Sequence, residues 1–163
     1  MMRKVALLLV LIVGMTNLPV LTVHAASPPA NLAKALQQVD QLLDRARRNL
    51  AAADELVDKK QMAAKDQMVA RAMRLTGEAA RKIESALAMV RALGSTKPSK
   101  EQLGQIEQLI GEARAQLREA EAMIDRVAQK TQNHKLLRGL VTGADHRIDE
   151  AVKMLRRIAA SLS

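Results

Sequence analysis

The chain has 163 residues, a net charge of +9, no Cys, and no Phe, Tyr or Trp. Without Cys it can form no disulfide and offer no thiolate ligand. Without aromatics it has no stacking platform of the kind that sugar and single-stranded nucleic-acid sites use, and its core must be built from Leu, Ile, Val, Met and Ala.

The first element has the grammar of a secretory signal peptide. Arg3 and Lys4 form a positive n-region, and Val5–Val13 is a continuous apolar run extended by Gly14 and Met15. Thr16, Asn17 and Pro19 break the run, and Val23-His24-Ala25 offers cleavage after Ala25. The expectation is a signal peptide over 1–25 and an exported domain over 26–163, periplasmic or secreted. The alternative is an uncleaved anchor, which needs about 20 apolar residues and so must tolerate those interruptions. What remains after cleavage is enough for one domain with a real core. Arg3 and Lys4 leave with the signal, which takes the charge from +9 to +7.

Four amphipathic helices follow. Leu32, Leu36, Val39, Leu43, Ala46, Leu50, Ala53 and Val57 recur at alternating spacings of four and three, which places them on one helix face. The stripe resumes, out of phase, as Val69, Met73, Thr76, Ala80, Ile83, Leu87 and Val90. Gly94 is placed to end that helix, and Ser95-Thr96-Lys97-Pro98 resists continuing it. Ser99 reads as an N-cap with Gln102 closing a capping box. A third stripe runs from Leu103 to Val127 and a fourth from Leu137 to Leu162, with a break across Thr131-Gln132-Asn133-His134. The predicted helices are 30–58, 66–93, 100–131 and 134–162.

The halves repeat. Gln41–Asp58 (QLLDRARRNLAAADELVD) matches Gln108–Asp125 (QLIGEARAQLREAEAMID). Arg81–Leu93 (RKIESALAMVRAL) matches His146–Ile158 (HRIDEAVKMLRRI) at nearly the same offset, so both pairs belong to one duplication with a small length change between them. The expected fold is all-α, an up-down-up-down four-helix bundle made from a duplicated helical hairpin. One long antiparallel two-helix hairpin is the alternative. Thr76-Gly77 and Thr142-Gly143 occupy equivalent places, and Gly104 and Gly111 share a face. Such glycines fit close helix approach or a kink.

Charge is uneven. Residues 30–58 hold four basic and five acidic side chains, and 100–131 hold five and six. Residues 59–93 hold eight against three, and 134–162 hold six against three. The basic helices should therefore stand diagonally, separated by near-neutral ones. The candidate anion-contact surface is Lys59, Lys60, Lys65, Arg71, Arg74, Arg81, Lys82, Arg138, Arg147, Arg156 and Arg157.

The parts of an active site are missing. No Ser lies in a Gly-x-Ser-x-Gly setting, and no glycine-rich loop follows a strand. Acidic pairs such as Asp54-Glu55 are adjacent and point apart on a helix, and Glu84 stands one turn from Arg81 as a surface pair. His134 falls in a turn and His146 toward the surface, and no Glu-x-x-His ladder exists for a metal bundle. Met62, Met68, Met73, Met89, Met123 and Met154 read as packing. His146–Met154 is similar to repeats in small periplasmic metal-binding helical proteins, but it lacks their His ladder, so their metal function does not carry over. Small basic periplasmic stress chaperones are similar in size and charge, but their Leu-Thr-x-x-Gln motif is absent, since Leu75-Thr76-Gly77-Glu78-Ala79 lacks the Gln.

The expected function is an exported, non-enzymatic bundle acting by surface contact with anionic envelope components or proteins. The alternatives are a holdase-like chaperone and a metal or cofactor carrier. No catalytic residue, cofactor or metal ligand is expected, nor nucleic acid or a small-molecule substrate as partner. A homo-oligomer is compatible with the chain.

Overall fold

The computed structural model describes residues 30–94 and 96–162, so the expected signal peptide over 1–25 lies outside the described residues. These hold five α-helices and no strand: α1 (Ala30–Lys59), α2 (Met62–Lys65), α3 (Gln67–Leu93), α4 (Lys100–Val127) and α5 (Gln132–Ser161). The protein is an all-α helical bundle. The four long helices have 30, 27, 28 and 30 residues, each about 40–45 Å at 1.5 Å per residue. No described helix is long and apolar enough to cross a membrane.

Each long helix touches two others. α1 packs on α3 and α5, and α4 packs on the same two. α3 and α5, the two basic helices, stand opposite one another, as do α1 and α4. The paired side chains give the relative directions. Arg71, Glu78 and Lys82 of α3 meet Glu119, Gln116 and Glu112 of α4, so the two run antiparallel. Arg138 and Arg156 of α5 meet Asp125 and Glu107 of α4, and Asp40 and Arg47 of α1 meet Arg91 and Glu84 of α3. Both pairs descend on one helix as they rise on the other. Because α3 folds back on α1, the first half is not one continuous helix.

The core follows the apolar periodicity. Every stripe residue of α1 and α4 is buried, each such Leu or Ile contributing about 1.5–3 kcal/mol relative to exposure. In α3 the stripe residues Val69, Thr76, Ile83, Leu87 and Val90 are buried, and two positions need correction by one residue. Ala72, Ala79 and Ala86 are fully buried, whereas Met73 and Ala80 are only partly so. Leu162 is likewise partly buried at the end of α5. The buried Thr76 donates its hydroxyl to the Met73 carbonyl at 2.9 Å, which removes the cost of hiding it.

The connections differ from expectation in detail. α1 runs one residue longer than predicted, and the chain then makes a separate turn of helix, α2, before α3. α4 stops at Val127 rather than 131, and α5 starts at Gln132 rather than 134, because Thr131 caps it and its hydroxyl accepts from the His134 backbone N–H. His134 therefore belongs to the first turn of α5. The Ser99 capping box forms as expected, with Ser99 and Gln102 bonded reciprocally at 3.1 and 2.9 Å. Gly94 takes a positive φ of 41° after α3.

The first turn contains neither Gly nor Pro, and it is made by Gln61 in the left-handed conformation at φ 50°, ψ 38°. That region costs an ordinary L-residue about 1–2 kcal/mol. Gln61→Gly is therefore expected to stabilise the protein by about 0.5–1 kcal/mol once its greater unfolded-state entropy is deducted. Thermal unfolding followed by circular dichroism would show a raised midpoint. Asp66 then caps α3, accepting from the Met68 N–H at 2.9 Å, and pairs with Lys130 at 2.9 Å. The Lys130 hydrogen bond is the main reason the Asp66 carboxyl sits below the usual carboxylate range. This pair ties the α2–α3 joint to the α4–α5 joint.

Candidate anion-binding surfaces

The eleven basic residues predicted to form a contact surface divide into two groups. Lys59, Arg71, Lys82, Arg138 and Arg156 are neutralised by Glu55, Glu119, Glu112, Asp125 and Glu107 respectively. Arg147 donates to the Gly143 carbonyl one turn back at 2.7 Å. Lys60, Lys65, Arg74, Arg81 and Arg157 are exposed and have no ion-pair partner among the described residues. Glu84, which the sequence placed near Arg81, approaches Arg47 of α1 instead, at 3.9 Å.

Two of the unpaired cations form a ridge on α3. Arg74 and Arg81 stand one heptad apart, and both lie on the side of α3 away from its buried Ala72, Thr76, Ala79 and Ile83. Lys60 and Lys65 are exposed in the connection and short helix that precede α3. From Arg74 to Arg81 the ridge covers roughly 10 Å of helix rise. Exposed pairs such as Arg71 with Glu119 add little stability in water. What they do decide is which cations remain free to meet another surface.

The repeat makes a sharper comparison possible. Laying α1 on α4 and α3 on α5 in the register of the duplication superposes their buried sets, as with Val39 on Ile106, Leu43 on Ile110, Ala72 on Leu137 and Ile83 on Ile148. The α3–α4 seam therefore corresponds to the α5–α1 seam. On the first, Lys82 pairs with Glu112, Gln116 donates to Glu78 at 2.7 Å, and Arg71 reaches Glu119 at 3.4 Å. The counterparts on the second are Arg147 with Arg45, Gly143 with Asn49, and Leu136 with Ala52. Each bridge has been lost.

The lost bridges leave a different surface. A Cβ on Gly143 would stand 2.7 Å from the Asn49 Nδ2, so this glycine lets the Asn49 side chain approach α5 closely. Asn49 uses that approach to donate to the Leu140 carbonyl at 3.3 Å. Gly77, Gly104 and Gly111 have open space where a Cβ would go, so the close approach expected of Gly104 and Gly111 does not occur. α3 and α5 run unbroken through their Thr-Gly pairs. Above and beside Asn49 the α1–α5 seam opens into two adjoining hollows of about 480 and 540 Å³, which share Met154 and Arg157.

Comparison with family models, curated proteins and solved structures finds no match. The site must therefore be read from its own chemistry. No group of three His, Asp or Glu side chains among the described residues could hold a metal ion. His146 is exposed and pairs with Glu150 at 3.4 Å. His134 bonds through Nδ1 to the Thr131 hydroxyl at 2.6 Å.

One carboxyl is electrostatically out of place. Glu121 is half-buried on α4, and one of its oxygens lies buried without a hydrogen-bond partner. Burial pushes its pKa up, and Asp145 and Asp125 push the same way, while the Thr142 hydroxyl and Arg118 oppose them. A raised carboxyl pKa means the native state holds its proton more tightly than the unfolded chain. Stability from this group is present below the ordinary glutamate range and lost as pH rises through the raised value. Glu121→Gln is expected to raise the unfolding midpoint at pH 7, with an advantage that disappears as the pH falls below that range. Thermal melts from pH 3 to 8 would show it.

Three Lys or Arg residues outside the predicted set line the seam: Arg45 on α1, Lys153 on α5 and Lys97 in the α3–α4 connection. The repeat contained the signal for Arg45, because its counterpart is the acidic Glu112. Lys97 comes to the seam only through the fold.

Proposed function

We propose that this protein is an exported, non-enzymatic scaffold, four long helices in up-down-up-down order, that binds anionic envelope surfaces through the outer ridge of α3. The observation that carries the reading is the pair of exposed cations Arg74 and Arg81 on that ridge, which like Lys60 and Lys65 in the preceding connection have no ion-pair partner among the described residues. Each Lys or Arg brought near an anionic membrane surface is worth about 1 kcal/mol, and the attraction fades within a Debye length. Export rests on the signal grammar of residues 1–25, and the absence of enzymatic chemistry rests on the missing nucleophile and phosphate loop.

The test is co-sedimentation of host-purified protein with vesicles of anionic or zwitterionic phospholipid. Binding to the anionic vesicles at low salt, lost near 1 M salt where the Debye length is about 3 Å, is the expected result. No binding to anionic vesicles at low salt would overturn the reading. A chaperone-like role needs an apolar capture surface. Among the described residues Leu136, at 51% exposure, is the large hydrophobic side chain that stands out, and one side chain supports no such surface.

A further inference from the structure

The α1–α5 seam differs from its repeat counterpart, whose own hollow is smaller, about 330 Å³, and lined by polar side chains only. It has no equivalent of the Lys82–Glu112, Gln116–Glu78 and Arg71–Glu119 bridges, and the Asn49 bond to the Leu140 carbonyl crosses it instead. Arg45 and Arg157 line it without an ion-pair partner among the described residues, whereas the neighbouring Lys153 is held by Asp149 at 2.6 Å. Finally, its lining changes character from one end to the other. One hollow is bordered by Gln38, Gln41, Arg45 and Arg157, with Glu150 also on its edge and turned to His146 at 3.4 Å. The next is floored by Leu32, Ala35, Ile158 and Leu162, with Lys97 at its rim.

We propose that this seam is a binding groove for a single-chain anionic amphiphile, its head group held by Arg45 and Arg157 and its acyl chain laid over Leu32, Ala35 and Ile158. The sizes fit, since both hollows fall within the range common for small-ligand sites. From Asn31 to Arg45 the seam extends roughly 21 Å along α1. Charge complementarity selects the occupant. The chain's own apolar N-terminal run follows Arg3 and Lys4, cations that two unpaired arginines would repel. An acidic amphipathic helix would need apolar and basic contacts alternating along the whole seam. Here the polar side chains gather at one end and the apolar floor at the other. The arginines supply charge-assisted hydrogen bonds to a carboxylate or phosphate, and the floor supplies apolar contact. The site is distinct from the α3 ridge.

Isothermal titration of the host-purified protein with sodium laurate and with the neutral dodecyl maltoside, both below their micellar concentrations, tests this. Saturable binding of laurate at one per chain is expected, at least tenfold tighter than that of the neutral detergent. Affinity should increase by up to about fourfold for each methylene added between decanoate and laurate. Arg45→Glu with Arg157→Glu should weaken laurate binding at least tenfold. Both side chains are exposed, so that variant should keep its helicity by circular dichroism. Ala35→Trp should block the apolar half and give the chain its only aromatic fluorophore. Arg74→Glu with Arg81→Glu should leave laurate binding unchanged while removing vesicle binding, which separates failure of this site from failure of the ridge. Equal affinity for the two detergents, no saturable laurate binding, or no effect of reversing Arg45 and Arg157 would overturn the proposal. So would an acidic peptide that occupies the seam where laurate does not.

Discussion

Ile83→Ala is expected to cost about 2–5 kcal/mol, a large share of the roughly 5–15 kcal/mol that holds a typical domain together. Ile83 is fully buried near the middle of α3, with Ala79, Ala86 and Leu87 of its own helix also inside. The side chains around it are Leu, Ile, Val and Ala on long helices. Such helices are anchored along their whole length and collapse poorly into a gap, so both the lost transfer energy and the cavity count. No disulfide limits the unfolded chain, and nothing offsets the loss. Ile148, the repeat equivalent on α5, is also fully buried, and Ile148→Ala should fall in the same range. Urea unfolding followed by far-ultraviolet circular dichroism measures both. A cost below about 1 kcal/mol at either position, under the usual range for such truncations, would mean that the four stripes do not form one continuous core.

Reversing Arg74 and Arg81 to Glu should weaken binding to anionic vesicles by about 30-fold or more. Two cations worth about 1 kcal/mol each are removed, and two anions are placed on the same ridge. Because both side chains are exposed and make no ion pair among the described residues, stability should move by less than about 0.5 kcal/mol. The matching control is Arg71→Glu with Lys82→Glu. Those cations already face Glu119 and Glu112, so their reversal should affect vesicle binding less and stability more, through the two like-charge contacts it creates across the α3–α4 seam. Equal loss of binding in both variants would show that vesicles sense only net charge and not the ridge.

Much of the fold was legible in the spacing of apolar residues. The helix faces of α1, α4 and α5, the end of α3 at Gly94 and the Ser99 capping box are written in stretches of a few residues. In α3 two of the seven stripe positions differ from the buried set by one residue, for a physical reason. Met73 and Ala80 are the larger or equally apolar choices at their positions, and they drew the stripe one residue away from Ala72 and Ala79. The last helix, laid on α3 in the register of the repeat, points to the correct set through Leu137, Ala144 and Ala151. Alanine signals burial weakly because it is small and a good helix former everywhere. The turn at Gln61 had no local marker, since a left-handed residue usually advertises itself as Gly or Asn. It forms because packing α3 back onto α1 outweighs the backbone cost.

The candidate surface was less legible. The composition showed that α3 and α5 are rich in cations. It could not show that Lys82 and Arg156 are neutralised while Arg74 and Arg157 are free, because the deciding partners, Glu112 and Glu107, are distant in the chain and on another helix. Nor could it show Lys97 reaching the α1–α5 seam from a connection.

By itself, then, the sequence determined the helices, their buried faces and the duplication, since burial on a helix is periodic and recorded locally. The tertiary structure decided which charges remain exposed and unmatched. It also decided that the two seams related by the repeat differ, one bridged by ion pairs beside a small polar hollow and the other without those bridges and with larger, partly apolar hollows. Charge pairing depends on the distance between side chains on different helices, and only the packing of those helices sets that distance.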